Sequence, residues 1–186
     1  MVFASNNKGK LREIRAILGE DIKSLKDVNV DVDVLEDGET FYDNAKKKAY
    51  EIYNIVKEPV ISDDSGLCVD YLDGFPGVHS KRFLGEDATP EDINNYILEH
   101  LEGVSNRKCE VICTLVYYDG KKEIRADGIL EGKISLDVRG TNGFGFDSIV
   151  ELSDGKTMAE HTQEEKNNMS ARYLAAVNLR NSLQNK

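Results

Sequence analysis

The spacing of apolar residues switches repeatedly along this chain between the period of a strand and the period of a helix. Strand-like runs lie at 1–4, 28–35, 60–61, 110–118 and 121–130, and helix-like stripes lie at 11–18, 41–56, 93–101 and 164–183. Asp119 and Gly120, between the last two strand-like runs, favour the tight turn of a hairpin. Strands that alternate with helices, together with one hairpin, predict an α/β fold with a mixed β-sheet.

The length of the chain fits a single domain. Its 186 residues lie within the range of about 100–200 residues that is common for one domain. A smaller lobe is expected at most around residues 85–105, because no linker rich in proline, glycine or serine separates this segment. We therefore predict one domain over residues 1–186.

The balance of charges argues against two classes of partner. The chain carries 24 lysines and arginines against 34 aspartates and glutamates, which gives a formal net charge of −10. Binding to nucleic acid or to an anionic membrane needs a basic surface, which this balance disfavours. The longest run without a charged residue, 111–118, is also far shorter than the ~20 residues of a membrane-spanning helix. We expect neither nucleic acid nor a membrane as a partner.

The placement of cysteine and histidine indicates a reducing compartment and no zinc centre. Cys68, Cys109 and Cys113 form neither a disulfide framework nor a C-x-x-C pair. An odd number of cysteines and a first segment without the features of a signal peptide are typical of a cytoplasmic protein. The histidines lie far apart in the sequence, which disfavours a zinc enzyme.

Polar residues cluster at four places, and the first cluster follows the first predicted strand. Ser5, Asn6, Asn7 and Lys10 lie where a helix is expected to begin. Backbone N–H groups at a helix N-terminus attract phosphate, and Lys10 adds a full positive charge. The alternative is an ordinary helix cap with surface lysines.

The second cluster surrounds the start of the next helix. Glu36, Asp37 and Glu39 precede Asn44 and Lys48, which are four residues apart and therefore project from one helix face. An acidic turn beside a cationic helix face suits a complex of metal and phosphate. Acids at a helix start are also expected on electrostatic grounds alone, with the lysines as a solvated run.

The third cluster, 62–66, follows the short strand-like run at 60–61. Two adjacent carboxylates, Asp63 and Asp64, repel each other at a strand end unless a cation lies there. Asp64 is therefore a candidate ligand for a hard cation such as Mg²⁺. An Asx-type turn is the alternative explanation.

The fourth cluster is the glycine-rich segment 140–147, in which glycines flank Phe144 and Phe146. Aromatic side chains in such a loop suit the approach of a flat ring that stacks on one of them. The alternative is a turn whose two phenylalanines belong to the core.

Taken in order, the four clusters resemble the inosine/xanthosine triphosphate pyrophosphatase family over nearly the whole chain. The matching motifs are Ala4-Ser5-Asn6-Asn7-x-x-Lys10, Asn44-Ala45-x-x-Lys48-Ala49, Asp63-Asp64-Ser65-Gly66-Leu67, Phe75-Pro76-Gly77-Val78, Gly143-Phe144-Gly145-Phe146-Asp147, Gly155-Lys156-Thr157-x-Ala159-Glu160, Glu164-Glu165-Lys166 and Ser170-x-Arg172. Each motif alone is a weak signal, but the ordered set is highly specific. The resemblance implies an elongated mixed β-sheet flanked by helices, two lobes with a nucleotide cleft between them, and a homodimer.

The resemblance also implies a reaction. Members of this family cleave non-standard purine nucleoside triphosphates (ITP, dITP and XTP) to the monophosphate and pyrophosphate, using Mg²⁺, and so cleanse the nucleotide pool. Attack of water at the α-phosphate spreads negative charge over oxygen atoms, which lysines and a metal ion stabilise.

Carried over position by position, the resemblance implies roles for individual residues. The residues implied to contact the triphosphate are Ser5, Asn6, Asn7, Lys10, Lys48, Ser65 and Lys166. Two carboxylates, Glu36 and Asp64, are implied to hold the metal, and Asp64 also helps to activate the attacking water. The residues implied to contact the base are Phe144, Gly145 and Phe146 by stacking, and Asp147 and Arg172 at its polar edge.

Arg172 offers a reason for selectivity against adenine. Its guanidinium group only donates hydrogen bonds, while hypoxanthine and xanthine carry an acceptor oxygen where adenine carries an amino donor. Adenine would leave a buried donor facing another donor, so we expect discrimination by a factor on the order of 10⁴. Guanine keeps that oxygen, so this contact does not explain its exclusion.

Three positions depart from the family pattern. Ala171 stands where the family has the histidine of Ser-His-Arg, which removes an expected contact with the base. Ser148 stands where a proline follows the loop aspartate, which alters loop stiffness, and His79 stands where a tyrosine is common. None of these is an implied metal ligand or phosphate contact, so we expect the chemistry to be retained and base selectivity to be less constrained.

Two other functions stay open from the sequence. Ala171 is compatible with a pyrophosphatase for pyrimidine or other modified nucleotides. A non-catalytic nucleotide-binding module would bind nucleotide without turnover, but it would not need the pair of carboxylates at Glu36 and Asp64.

Overall fold

The computed structural model describes residues 1–80, 83–85 and 87–184, in which strands and helices alternate. The strands are β1 (Val2–Phe3), β2 (Val60–Val69), β3 (Lys108–Tyr118), β4 (Glu123–Ile134) and β5 (Val150–Glu151). The α-helices are α1 (Lys8–Leu18), α2 (Phe41–Val56), α3 (Pro90–His100), α4 (Gln163–Lys166) and α5 (Ala171–Gln184).

The five strands form one sheet in the order β1-β2-β3-β4-β5. Strand β1 is parallel to β2, with Val2 opposite Val60, whereas β4 is antiparallel to β5, with Ile134 opposite Val150. Parallel and antiparallel pairs therefore occur in the same sheet. The predicted α/β class with a mixed β-sheet and helices is confirmed.

Hydrogen bonds from side chains set the starts of the helices. The Asn7 side chain accepts hydrogen bonds from the N–H groups of Gly9 and Lys10 at the start of α1. At the start of α3, Thr89 and Asp92 form a reciprocal capping box. These side chains satisfy N–H groups that have no partner within the helix, and they explain why the helices begin where the sequence predicts.

The described residues divide into two compact units, each with its own apolar core. The first unit comprises 1–65, 113–129 and the segment from Ser170 onward, and the second comprises 66–112 and 130–169. The core of the first unit includes Val2, Ala45, Ile52, Val60 and Val116. The core of the second unit includes Leu67, Ile97, Leu101, Ile134 and Ile149. The segment proposed as a smaller lobe, 85–105, lies within the second unit apart from Glu86, which is outside the described residues, and its independence stays a prediction.

The predicted strand at 28–35 is wrong. Among the described residues, this segment pairs with no strand of the sheet. Val30 and Val34 are buried in the core, but Val32 between them is 36 % exposed. Burial thus recurs at every fourth residue rather than at every second residue, as a half-buried strand would require. The alternation of valine and aspartate belongs to a half-buried segment that has no strand partner in the described ranges.

Strand β2 is much longer than the two residues predicted at 60–61. It spans Val60–Val69, so Ser62, Asp63 and Asp64 lie inside the strand rather than after it. Polar residues in a strand are tolerated where they find buried partners. Ser62 Oγ, for example, donates a hydrogen bond of 2.5 Å to the carbonyl oxygen of Ala45.

The predicted continuous helix at 164–183 is two helices. Helix α4 ends at Lys166, and α5 begins at Ala171. The Ser170 hydroxyl accepts a hydrogen bond from the Tyr173 N–H at 3.1 Å, which starts a new helix at this point. Met169 lies in the break, and Lys166 and Arg172 therefore belong to different helices.

Two further expectations concern membranes and cysteines. Searched across the described ranges, the helices include none that is long and apolar enough to cross a bilayer. Cys68, Cys109 and Cys113 are free thiols. Burial raises the pKa of Cys109 and of Cys113 to about 12, which makes both thiols unreactive at neutral pH.

Candidate active site

Strand β2 separates the two adjacent acids that the sequence singles out. Successive residues of a strand point to opposite faces, so Asp63 and Asp64 have different surroundings. Asp63 bonds to Lys10 and Arg172, whereas Asp64 bonds to Asn44. The inference from two carboxylates crowded at a strand end is therefore wrong, while the role of Asp64 as a metal ligand stays a prediction.

Asp63 is the centre of a buried ion-pair network in the first unit. Its Oδ2 atom lies 2.7 Å from Lys10 Nζ and 3.1 Å from Arg172 Nη2. Arg172 also donates hydrogen bonds to Glu13 Oε2 at 2.5 Å and to Ser65 Oγ at 3.0 Å. Burial raises the pKa of Asp63, but the charges of Lys10 and Arg172 outweigh burial and hold this pKa far below its usual range. The network joins α1, β2 and α5.

Two cations with predicted ligand contacts are members of this network. The side chains of Lys10 and Arg172 are 3 % and 7 % exposed, respectively. Carboxylates on both sides of Arg172 raise its pKa against the effect of burial, so the group stays charged. The predicted contacts of Lys10 with phosphate and of Arg172 with a base stay predictions, and both groups are already oriented by protein partners.

The surroundings of Asp64 favour its binding of a proton. Its Oδ2 atom accepts a hydrogen bond from Asn44 Nδ2 at 2.9 Å, and its Oδ1 atom accepts one from the Ser65 N–H at 2.9 Å. Burial raises the pKa of Asp64 above its usual value. The positive charge of Lys48 opposes this rise, and the negative charge of Glu36 adds to it. A carboxylate with a raised pKa binds a proton more readily than an ordinary aspartate.

Lys48, on α2, neutralises this group of acids. Its Nζ atom forms an ion pair with Glu36. Burial lowers the pKa of Lys48, but the charges of Asp63, Glu36 and Asp64 outweigh burial and raise this pKa overall. The structure therefore brings together the predicted residues Glu36, Lys48 and Asp64, with Asn44 beside them.

The donor set at Glu36 and Asp64 suits a divalent cation. Carboxylate oxygens are the ligands that Mg²⁺ prefers, and the repulsion between these two groups contributes to the raised pKa of Asp64. In the part of the chain that the structure describes, no group of three or more histidine, cysteine, aspartate or glutamate side chains is arranged to hold a metal ion. Mg²⁺ is commonly bound through one or two carboxylates, waters and substrate phosphates. The residues present fit a magnesium ion whose remaining ligands come from water and from a bound phosphate group.

The loop before α1 contains the other predicted phosphate contacts of the first unit. The Asn7 side chain caps α1, and the Ser5 hydroxyl accepts a hydrogen bond from the Asn7 N–H at 3.2 Å. Asn6 is exposed to solvent. The alternative of an ordinary cap is therefore realised for Asn7, and phosphate binding by this loop stays a prediction.

In the second unit, Asp147 organises the glycine-rich loop. Its Oδ2 atom accepts hydrogen bonds from the Phe144 N–H at 2.9 Å and from Lys166 Nζ at 2.5 Å. Gly143 has a φ of +87°, and an added Cβ would lie 2.1 Å from Asp147 and 2.4 Å from Lys166. Only glycine fits this position, because any side chain would break the contact between the acid and the lysine.

The two phenylalanines of the loop have different surroundings. Phe146 packs against the core of the second unit, whereas the Phe144 side chain is 38 % exposed. The Lys166 ammonium lies 5.4 Å from the centre of the Phe144 ring, within the range of a cation–π contact. Of the two rings left open by the sequence, Phe144 is therefore the better candidate for stacking on a base.

The positions that depart from the family pattern are resolved in the structure. Ala171 is buried at the first residue of α5, and His79 is exposed. Ser148 Oγ accepts a hydrogen bond from Asn94 Nδ2 at 3.1 Å. Ser148 therefore has a specific partner that a proline at this position would lack.

A cavity of about 960 Å³ in the second unit is lined by other residues. The charged and thiol side chains that line it include Cys68, Lys108, Glu110, Glu131, Lys133 and Glu151. None of the predicted site residues lines this cavity. Its size alone does not make it the site of the chemistry, because the perturbed carboxylates lie elsewhere.

Three residues that matter to these groups are missed by sequence reasoning. Glu13 lies three residues after Lys10 on α1, and this spacing was an available signal for a shared helix face. Asp63 was noticed only as a neighbour of Asp64. Asn94, on α3, carried no sequence signal, because its two acceptors, in the glycine-rich loop and directly after it, are more than fifty residues away.

Comparison with known proteins finds the same sequence pattern elsewhere. Residues 1–182 match the model of the Ham1 family. A dITP/XTP pyrophosphatase from Geobacter sulfurreducens is 44 % identical, over 98 % of this chain and 96 % of that protein. A dITP/XTP pyrophosphatase from Caldanaerobacter subterraneus is 40 % identical, over 97 % of this chain and 94 % of that protein. The solved structure of a HAM1 protein from Coxiella burnetii is similar with a TM-score of 0.91 and 33 % identity, over 100 % of this chain and 98 % of that one.

Proposed function

Because the chain belongs to the Ham1 family, we propose that it is a nucleoside triphosphate pyrophosphatase acting on ITP, dITP and XTP. The products are the nucleoside monophosphate and pyrophosphate. The names of the relatives from Geobacter sulfurreducens and Caldanaerobacter subterraneus support this substrate class. The observation that carries the proposal is Asp64, a buried carboxylate whose two oxygens accept hydrogen bonds from Asn44 and from the Ser65 N–H.

In the proposed reaction, the Asp64 carboxylate accepts a proton from the attacking water. The water oxygen forms a bond to the α-phosphorus, and the bond from that phosphorus to the bridging oxygen breaks. The electron pair leaves with pyrophosphate.

Glu36 and Asp64 are the proposed ligands of Mg²⁺. A bound magnesium ion neutralises phosphate charge and lowers the pKa of water. The hydrogen bonds of Asp64 to Asn44 and to the Ser65 N–H orient its carboxylate on β2. Glu36 is oriented by its ion pair with Lys48.

Three lysines and the start of α1 are the proposed phosphate contacts. Lys10, Lys48 and Lys166 supply positive charge, and Ser5, Asn6, Asn7 and Ser65 supply polar contacts. The substrate is itself a polyanion, so these charges have to be concentrated locally in a chain whose formal net charge is −10. An acidic chain of this kind repels nucleic acid while a small group of lysines attracts one nucleotide.

The glycine-rich loop and Arg172 are the proposed contacts of the base. Phe144 supplies an exposed ring for stacking, with Gly145 and Phe146 beside it in the sequence. Asp147 and Arg172 are proposed to contact the polar edge, each oriented by ion pairs within its own unit. Because Ala171 cannot supply the contact of the family histidine, selectivity depends more strongly on these groups.

The proposed setting is a homodimer in the cytoplasm, with the nucleotide as the partner and with neither nucleic acid nor membrane bound. The free thiols of Cys68, Cys109 and Cys113 fit a reducing compartment. The dimer follows from the family resemblance. Sedimentation of the purified protein tests it directly.

A panel of nucleotides tests the proposed substrate class. We expect kcat/KM for dITP to exceed that for dATP by a factor on the order of 10⁴. The reason is that the amino group of adenine and the guanidinium group of Arg172 are both hydrogen-bond donors. The measurement is the initial rate of pyrophosphate release from dITP, XTP, dATP, dGTP, dCTP and dTTP. Orthophosphate release is followed in parallel as the control for cleavage at the terminal phosphate.

Each alternative has a distinct result in this panel. Equal rates for dATP and dITP would refute the selectivity, and a preference for dCTP or dTTP would support the pyrimidine alternative. Absence of turnover for every nucleotide, together with tight binding of dITP in a separate calorimetric titration, would support the non-catalytic module.

A further inference from the structure

The side chain of Asn94 connects α3 to the glycine-rich loop of the second unit. Asn94 Nδ2 donates hydrogen bonds to the carbonyl oxygen of Gly145 and to Ser148 Oγ, both at 3.1 Å. The two acceptors lie on either side of Phe146 and Asp147 in the sequence. One buried amide therefore holds both ends of the segment from Gly145 to Ser148.

The amide is held in place although one of its atoms has no partner. Asn94 is 4 % exposed, and its Oδ1 atom has no hydrogen-bond partner among the described residues. A buried acceptor without a partner is destabilising, so an apolar side chain of similar size would serve better if packing were its purpose. The two hydrogen bonds to the loop are thus the feature that distinguishes asparagine from an apolar residue here.

Ser148 is the second residue through which Asn94 restrains the loop. A proline is expected at this position from the family pattern, and a proline ring restricts the backbone by itself. Serine leaves the backbone freer, but its hydroxyl accepts the hydrogen bond from Asn94. In this chain, a side-chain hydrogen bond takes the place of a ring as the restraint on the loop.

We infer that Asn94 is a positioning residue that keeps Phe144 and Asp147 in the arrangement that binds the base. The inference deepens the proposed function and rests on it. Asp147 bonds to the Phe144 N–H and to Lys166, so a shift of the segment that Asn94 holds moves all three groups. In this proposal Asn94 acts through its hydrogen bonds to Gly145 and Ser148 and is assigned no contact with the substrate.

Substitution of Asn94 tests the inference through the ratio of two kinetic constants. We expect Asn94→Ala to raise the KM for dITP about tenfold, the effect of two lost hydrogen bonds, while kcat changes less than about twofold. Asn95→Ala is the matched control, because Asn95 is the next residue of α3 and is exposed. The control is expected to keep the KM of the unaltered protein.

Adding Ser148→Pro to the Asn94→Ala variant separates positioning from simple destabilisation. In the described residues the Ser148 N–H donates no hydrogen bond, so proline removes none. We expect Ser148→Pro to lower the KM of the Asn94→Ala variant toward that of the unaltered protein. Failure of the proline to restore the KM would overturn the inference. A fall in kcat of Asn94→Ala that matches its fraction of unfolded protein, with no change in KM, would also overturn it.

Hydrogen exchange of the Phe144 and Asp147 amides without any nucleotide provides a readout that does not depend on activity. Faster exchange in Asn94→Ala, reversed by Ser148→Pro, is the expected result. Unchanged exchange in Asn94→Ala would overturn the positioning role. If the unaltered protein failed to hydrolyse dITP, the proposed function would fail, and the exchange data would still decide whether Asn94 restrains the loop.

Discussion

Replacing Asp64 with asparagine is expected to lower kcat for dITP hydrolysis by about 10³-fold, within the range lost when a positioned general base is removed. The amide has nearly the same shape as the carboxylate, and its single oxygen still accepts one of the two hydrogen bonds that Asp64 accepts from Asn44 and from the Ser65 N–H. The substitution removes the negative charge of the carboxylate and the oxygen atom that would accept a proton from water. The measurement is the initial rate of pyrophosphate release at saturating dITP and Mg²⁺.

A matched control separates catalysis from loss of charge. Asp33→Asn makes the same chemical change in the same unit at an exposed position, and we expect its kcat to stay within about twofold of the unaltered protein. Binding of dITP to Asp64→Asn, measured by calorimetry, is expected to persist because the lysines are unchanged. Full activity of Asp64→Asn would refute the assignment of Asp64.

The second large effect concerns stability. Replacing Arg172 with methionine is expected to lower the free energy of unfolding by about 3–5 kcal/mol, because it removes the cation paired with the buried Glu13 and one of the two cations paired with the buried Asp63. Glu13 and Asp63 are 4 % and 0 % exposed, so neither reaches water when the guanidinium group is removed. Equilibrium unfolding in urea, followed by circular dichroism, measures the difference.

Arg180 supplies the control for this prediction. It lies on the same helix, α5, and is exposed, so Arg180→Met is expected to change the free energy of unfolding by less than about 0.5 kcal/mol. Adding Glu13→Gln to Arg172→Met is expected to recover part of the loss, since one of the stranded charges is removed. A loss below about 1 kcal/mol in Arg172→Met would contradict the network as a source of stability.

The fold was largely predictable because local signals agree with the tertiary structure. The helix start expected at Asn7 and the helix-like stripe at 93–101 correspond to α1 and α3 of the structure. The prediction of a strand at 28–35 was wrong because valines can be buried without a hydrogen-bonded neighbouring strand. A sequence indicates burial of the valines, but it does not show whether a partner strand is present. The extent of β2 was underestimated because Asp63 and Asp64 look like loop residues until their buried partners are known.

The residue types of the candidate site were also predictable, but their partners were not. Lys10 and Arg172 were expected to face a ligand, and the structure pairs both with Asp63, which lies 53 and 109 residues away along the chain. Such long-range pairs leave no periodic trace in the sequence. The same is true of Asn94 and the glycine-rich loop, whose contact depends on how α3 packs within the second unit.

The most direct test of the account follows the oxygen of the attacking water. Hydrolysis of dITP in water labelled with heavy oxygen, with products separated and analysed by mass spectrometry, shows which phosphorus is attacked. Attack at the α-phosphorus, as proposed for the water activated by Asp64, predicts labelled dIMP and unlabelled pyrophosphate. Label in pyrophosphate, or release of labelled orthophosphate, would contradict the proposed reaction.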